Sequence, residues 1–224
     1  MITHQATMTV GAATIDEAVV AAFKSTLRGK LVTPEDGGYD EARKVYNGMI
    51  DKRPGLIARC VDVADVMSAV NFAREHNLTL AIRGGGHNGG GLGTCDDGLV
   101  IDLSNMKGVR VDPQARTAVV AGGCTWGEVD HATHVFGLAT PSGIISTTGV
   151  GGLTLGGGIG HLTRKCGLSI VQDTRDAEIG KYRPAGFADQ NVGAFDVAMN
   201  ESLVVGSTQR LCHRLHPAQH LFDR

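Results

Sequence analysis

An excess of charge of either sign is missing from this chain. Its 21 Lys and Arg stand against 23 Asp and Glu, a formal net charge of −2, with a pI near 6.5. That balance removes the electrostatic case for binding nucleic acid or an anionic membrane. Paired cysteines are missing too. The five cysteines (60, 95, 124, 166 and 212) are odd in number, widely spaced and without a CxxC step. This pattern fits a reducing compartment better than a disulfide framework. No stretch is apolar enough to span a bilayer, and the start, Met1-Ile-Thr-His-Gln5, has neither a basic n-region nor an apolar h-region. The expectation is a soluble cytoplasmic protein. There is no internal repeat, and no GK[ST] step, which removes the P-loop.

What is present is glycine: 32 of 224 residues, concentrated in 83–98 and 149–160. The remaining composition, 42% apolar and 20% charged, is that of a globular protein with one or two domains and a sizeable core. The segments flanking the glycines are well patterned, so low-complexity disorder is the weaker reading.

Thr14-Ile-Asp-Glu17 has the form of a capping box opening a helix over 15–26, with Ala18, Val19, Ala22 and Phe23 on one face and Gly29 beyond its end. Residues 34–38 read as a turn and 39–45 as a short helix. A strand over 56–61, a helix over 63–76 capped by Asp62, and a strand over 78–82 make a β-α-β unit. Parallel strands joined by such a crossover place their carboxyl ends beside a ligand crevice. Short strands follow over 99–103, 109–111 and 118–121. Thr125 caps a helix over 126–135, residues 137–142 read as loop, and a helix over 162–167 and a strand over 168–171 come last. The fold class is α+β in two lobes, with two glycine-rich loops facing one ligand.

The first loop, Arg83-Gly84-Gly85-Gly86-His87-Asn88-Gly89-Gly-Gly-Leu92-Gly93, follows directly on a strand. Seven of these eleven residues lack a side chain, so the backbone can come close to a ligand. Successive N–H groups in such a turn form a partly positive nest suited to a pyrophosphate. His87 is the one soft nucleophile on that surface. The second segment, 144–160, offers hydroxyls at Ser146, Thr147 and Thr148 beside Gly149, Val150, Gly151 and Gly152. Neither run carries the Rossmann spacing GxGxxG with an acid about 20 residues on. From spacing alone, a phosphate nest of another type and purely structural glycine turns both stay open.

Four motifs in order carry a resemblance: Arg83-Gly-Gly-Gly-His87-Asn88; Asp97-Gly-Leu-Val-Ile-Asp102-Leu-Ser; Gly122-Gly-Cys-Thr-Trp126-Gly-Glu128-Val; and the run from Thr148 through Gly160 to Arg164-Lys-Cys-Gly167-Leu. Tyr39-Asp-Glu-Ala-Arg43, Asn47 and Arg53-Pro-Gly-Leu-Ile57 fit the same pattern. Together they resemble the FAD-binding (PCMH-type) domain of the berberine-bridge-enzyme-like oxidases, in the vanillyl-alcohol-oxidase superfamily. The resemblance covers about residues 39 to 170. It implies an FAD-binding domain over 39–171, which leaves an N-terminal helical extension over 1–38 and a divergent tail over 172–224.

In that family the first glycine loop wraps the FAD pyrophosphate, and its histidine is bonded to the methyl carbon on the flavin's benzenoid ring. His87 takes that position, for which a neutral imidazole nitrogen is a suitable nucleophile; the competing reading is a loop histidine bonded to backbone. Relatives with a second link carry a cysteine where Ile145 stands here, so one tether is expected. The resemblance implies that Ser146, Thr147, Gly149, Val150, Gly151 and Gly152 line the cofactor from the other side. Gly157, Gly158 and Gly160 permit close backbone packing, and His161 either touches the flavin or faces solvent. Arg83 orients the loop, approaches the cofactor or makes a surface ion pair. The family reaction is flavin-dependent oxidation of a small-molecule C–H bond, with oxygen as acceptor.

Full-length relatives carry a further substrate domain, and 172–224 does not match it. The implied fold is therefore a truncated PCMH-type domain of doubtful activity. The alternatives are a non-catalytic flavin- or nucleotide-binding module that needs a partner chain, and a partial gene product. No catalytic base is assigned, and Tyr182 has no claim to that role. No metal site is expected: His131 and His134 read as an exposed helical face, and Cys212, His213, His216 and His220 are interrupted by Pro217.

Overall fold

The computed structural model describes residues 7–10, 13–161, 203–204 and 212–213. It opens on an antiparallel hairpin of β1 (Thr7–Val10) and β2 (Ala13–Asp16), followed by α1 (Glu17–Thr26) and β3 (Lys30–Val32). Thr14 and Ile15 belong to the hairpin, so the capping box expected at Thr14 does not form. Asp16 is the N-cap instead, its side chain accepting from the Ala18 amide at 2.8 Å. The segment read as a helical extension is thus part strand, and β3 joins the main sheet.

The short helix α2 (Tyr39–Ala42) leads to β4 (Leu56–Arg59), α3 (Val63–Glu75) and β5 (Leu80–Arg83), the expected β-α-β unit. Asp62 caps α3 as expected, accepting from the Asp65 amide. The strand β6 (Leu99–Asp102) inserts between the two strands of that unit, giving the order β3-β4-β6-β5. The three strands β4, β6 and β5 run parallel, and β3 is antiparallel to β4.

Alternation along these strands builds two apolar layers. Leu31, Leu56, Ala58, Leu99 and Ile101 pack against α1 and α3, where Phe23 and Phe72 stack at 4.1 Å between ring centroids. Val32, Ile57, Ala81 and Val100 pack on the other face with Tyr39 and Cys95. Burial on both faces explains why β4 and β6 read as continuous apolar runs.

The second lobe is a hairpin of β7 (Val109–Asp112) and β8 (Thr117–Val120), followed by α4 (Trp126–His134). Thr125 and Glu128 form a capping box at the start of α4. The two-residue strand β9 (Leu138–Ala139) falls inside the stretch read as loop. The second glycine segment is not all loop either, since α5 (Val150–Gly156) forms within it. Its low intrinsic helix propensity is overcome by packing: Val150 lies fully buried with Ala118, Val120, Cys124, Trp126 and Val129. Two short strands, β10 (Leu203–Val204) and β11 (Cys212–His213), pair with β8 and β9. The helix expected over 162–167, the strand over 168–171, Tyr182, His216 and His220 lie outside the described residues. His131 and His134 are exposed on α4.

One buried carboxylate ties the first lobe together. Asp65, 1% exposed, accepts from the amides of Arg28 (2.8 Å), Gly29 (2.9 Å) and Val61 (2.9 Å). It thereby fixes the turn before β3 against the turn before α3. Asp65→Ala strands three amides, and a buried unsatisfied donor costs about 1–3 kcal/mol. The expected loss is about 3 kcal/mol or more in urea unfolding with an unchanged m-value; a loss below about 1 kcal/mol contradicts this account.

Candidate functional site

The parallel strands end in a charged row. Arg59, Asp102 and Arg83 close β4, β6 and β5 in register, and Asp102 Oδ2 lies 2.9 Å from Arg83 and 3.5 Å from Arg59. Arg83 is 6% exposed and also donates to the carbonyls of Ala42 (2.6 Å) and Lys44 (3.2 Å). The structure therefore turns Arg83 inward, away from a surface ion pair. It braces the chain that runs beside the first glycine loop.

That loop leaves β5 at Gly84. Gly86 and Gly91 have φ of +69° and +70°, the left-handed region that glycine enters without penalty. Asn88 closes the turn: its carbonyl accepts from the Gly91 amide at 3.1 Å and its side chain from the Leu92 amide at 3.0 Å. The amides of residues 84–90 donate to no acceptor among the described residues. Such unspent donors on an accessible loop are the groups that hold phosphate oxygens.

The second segment is fixed from Ser146 to Val150 by the start of α4 and the turn before it. Gly127 donates to the Ser146 carbonyl at 2.8 Å, Trp126 to that of Thr148 at 3.0 Å, and the Val150 amide to the carbonyl of Cys124 at 2.9 Å. The two runs then cross in direct backbone contact. A Cβ on Gly85 would lie 2.3 Å from the Gly149 nitrogen and 3.1 Å from the Thr147 carbonyl oxygen; a Cβ on Gly149 would lie 2.3 Å from the Gly85 nitrogen. The Gly122 carbonyl fills the adjoining space, close to where Gly84 and Gly151 would carry side chains. So the two glycine loops converge.

The other expected residues divide by what they touch. A Cβ on Gly152 would meet open space, and the side chain of Val150 belongs to the core of the second lobe. Gly157 ends α5 at φ +78°. Gly158 and Gly160 permit the close packing expected of them, against Leu153 and the Ser142 carbonyl respectively. His161 is exposed.

His87 stands where the runs cross. Its Nε2 lies 2.9 Å from Thr147 Oγ1 and its Nδ1 lies 3.5 Å from Thr148 Oγ1, so threonine hydroxyls, not backbone, hold the ring. Tyr46 stacks on it at 3.9 Å with 18° between planes. Partial burial holds the imidazole pKa below its ordinary value. Protonation is thus disfavoured in the folded protein. The stability tied to the neutral ring is fully present above the ordinary value of about 6.5 and falls as pH drops beneath it. Sequence reasoning missed Tyr46 and the Gly122 carbonyl as parts of this site. Gly122-Gly123 was legible as a motif, but nothing local marks Tyr46, whose partner is distant in the chain.

These features fit a dinucleotide. Free amides suit a pyrophosphate, side-chain-free crossing strands allow close approach, and a neutral imidazole sits beside them. A family model described as FAD binding domain matches residues 54–173, and the chain belongs to that family. It is similar to a FAD-linked oxidoreductase of Dictyostelium discoideum, 43% identical over 152 residues, which cover 67% of this chain and 33% of that protein. (R)-6-hydroxynicotine oxidase of Paenarthrobacter nicotinovorans is 37% identical over 144 residues, 64% of this chain and 31% of that protein. Among solved structures, Physcomitrella patens BBE-like 1 matches with a TM-score of 0.63 at 29% identity, over 69% of this chain and 34% of that one. The berberine-bridge-enzyme-like resemblance therefore holds, and the matched segment spans about a third of the length of these relatives.

The crossing is open to a direct test. Gly149 has φ −69° and ψ 137°, a conformation any residue adopts, so Gly149→Ala disturbs contact alone. It is expected to cost about 1–3 kcal/mol through overpacking and to weaken FAD binding at least tenfold by calorimetric titration. Gly152→Ala, which meets open space within a helix, is expected to leave the melting temperature unchanged or raised. Equal behaviour of the two variants contradicts the crossing.

Proposed function

We propose that this chain binds FAD across the two glycine runs and is the FAD-binding part of an oxidoreductase acting on a small-molecule C–H bond. The observation that carries the reading is the backbone crossing at Gly85 and Gly149, with the unspent amides of residues 84–90 on one side and His87 at its edge. Gly84, Gly85, Gly86, Asn88 and Gly89 would face the pyrophosphate by their amides. Ser146, Thr147, Gly149 and Gly151 would line the opposite wall. When bound, FAD supplies the redox chemistry, accepting a hydride from substrate and passing electrons to dioxygen.

His87 would hold the cofactor by one covalent link. The link would join one ring nitrogen to the methyl carbon of the benzenoid ring, with loss of a methyl C–H bond and the imidazole N–H. The two electrons and two protons released would be taken up by the redox chemistry that FAD supplies when bound, with dioxygen as final acceptor. The depressed pKa keeps the nucleophilic neutral imidazole available at neutral pH. Ile145 stands where a second, cysteine link would form, so the tether is single.

One observation favours a second reading, an FAD-binding module whose pocket a partner chain completes. Met49, Leu92, Ile144, Ile145 and Ile159, in or near the two glycine-rich segments, expose large apolar side chains, as surfaces awaiting a partner do. The two readings separate on substrate-driven bleaching of the flavin spectrum, which the second predicts only with the partner present.

The test is an absorption spectrum of purified protein before and after acid precipitation. Yellow colour is expected to stay with the precipitate, and His87→Ala is expected to release all of it. Colour retained by His87→Ala, or released by the unmodified chain, contradicts the tether.

A further inference from the structure

We propose that Tyr46 and Thr147 are positioning residues for His87: the tyrosine ring sets the plane of the imidazole, and the threonine hydroxyl sets which ring nitrogen carries the proton. This rests on the reading of His87 as the grip on FAD.

Tyr46 is 66% exposed, a setting in which an aromatic side chain ordinarily samples several rotamers. Here its backbone is fixed from three directions. The Tyr46 amide donates to the Gly86 carbonyl at 3.1 Å, Arg83 holds the carbonyls of Ala42 and Lys44, and Asn47 Nδ2 donates to the Gly89 carbonyl at 2.9 Å. Residues 42–47 thus form a strap bound to the loop on both sides of His87, and the ring of Tyr46 lies over the imidazole. The phenolic hydroxyl has no hydrogen-bond partner among the described residues. The ring face alone carries the contact.

Thr147 is held equally firmly, its carbonyl lying against Gly85 at the crossing. Its hydroxyl is 2.9 Å from Nε2, a full hydrogen bond, whereas Thr148 Oγ1 is 3.5 Å from Nδ1, at the limit of one. The tautomer of a neutral imidazole follows the stronger of the bonds its nitrogens make. A threonine hydroxyl serves as donor or acceptor, so the short contact holds Nε2 in a single role and leaves the opposite role to Nδ1, whose own contact with Thr148 is weak. Plane and tautomer are the two properties a nucleophilic imidazole needs fixed before it can attack at one carbon, and a displacement of about 1 Å costs about a hundredfold in rate.

The test uses the full chain, first without added FAD. Long-range nitrogen-15 spectra are expected to show His87 as one neutral tautomer rather than a mixture, with its carbon-bound proton shifted upfield by the Tyr46 ring. Tyr46→Ala and Tyr46→Leu are expected to abolish the upfield shift, and Tyr46→Phe to keep it. Thr147→Val is expected to give a tautomer mixture, and Thr147→Ser to restore the single form. Both side chains are exposed, so these changes leave the fold intact. With FAD added, acid-stable flavin is expected to accumulate about tenfold more slowly in Tyr46→Ala and Thr147→Val, and at the original rate in Tyr46→Phe and Thr147→Ser. Unchanged His87 resonances in Tyr46→Ala, or an unchanged tautomer in Thr147→Val, overturn the proposal. So does a rate loss that the conservative variants share. Release of all flavin by acid from the unmodified chain overturns the tether and leaves the apo spectra to decide the positioning roles.

Discussion

Two glycines, Gly85 and Gly149, come so close that each backbone nitrogen occupies the place where the other would carry a methyl group. Contact at that distance is possible only between residues without side chains, and it requires both approaching segments to be held in place. The first is held because β5 lies in register with β6 and Arg83 is locked onto Asp102 and the carbonyls of Ala42 and Lys44. The second is held because the start of α4 and the turn before it bind the segment from Ser146 to Val150. The two lobes have separate cores, and at the crossing itself main chain meets main chain. Main chain supplies N–H donors at fixed positions, which is what an anionic cofactor selects.

His87 takes its properties from that crossing. Because the second run passes against the first, Thr147 and Thr148 reach the two ring nitrogens, while the strap through Tyr46 covers the ring. Partial burial lowers the pKa of the ring and so favours its neutral form. An imidazole elsewhere on a glycine loop would be mobile and partly protonated near neutral pH. The family assignment and the local physics thus meet at one residue: the FAD binding domain model spans both runs, and the crossing gives the histidine a defined place beside the free amides.

Much of this was legible in the sequence, because the determining signals are local. The apolar runs of β4 and β6, the stripe of α3, the caps at Asp62 and Thr125 and the two glycine runs are each decided within about a dozen residues. What was not legible depends on partners distant in the chain. The insertion of β6 between β4 and β5 follows from sheet pairing, which no periodicity encodes. Arg83 turns inward because register places it beside Asp102. The hairpin of β1 and β2 overrode a plausible capping box at Thr14, since Asp16, two residues further on, offered a cap at the end of the hairpin. The helix α5 formed from a glycine-rich sequence because Val150 has a core to enter. Tyr46 looked like any exposed aromatic until its partner was brought to it.

Hydrogen exchange of individual amides, with and without FAD, tests the central claim most directly. Saturating FAD is predicted to protect the amides of residues 84–90 and of the segment 146–149 together, and to leave the β7–β8 hairpin unchanged. Protection of one glycine run without the other, or exchange at 84–90 that FAD does not slow, would contradict a cofactor held where the two runs cross.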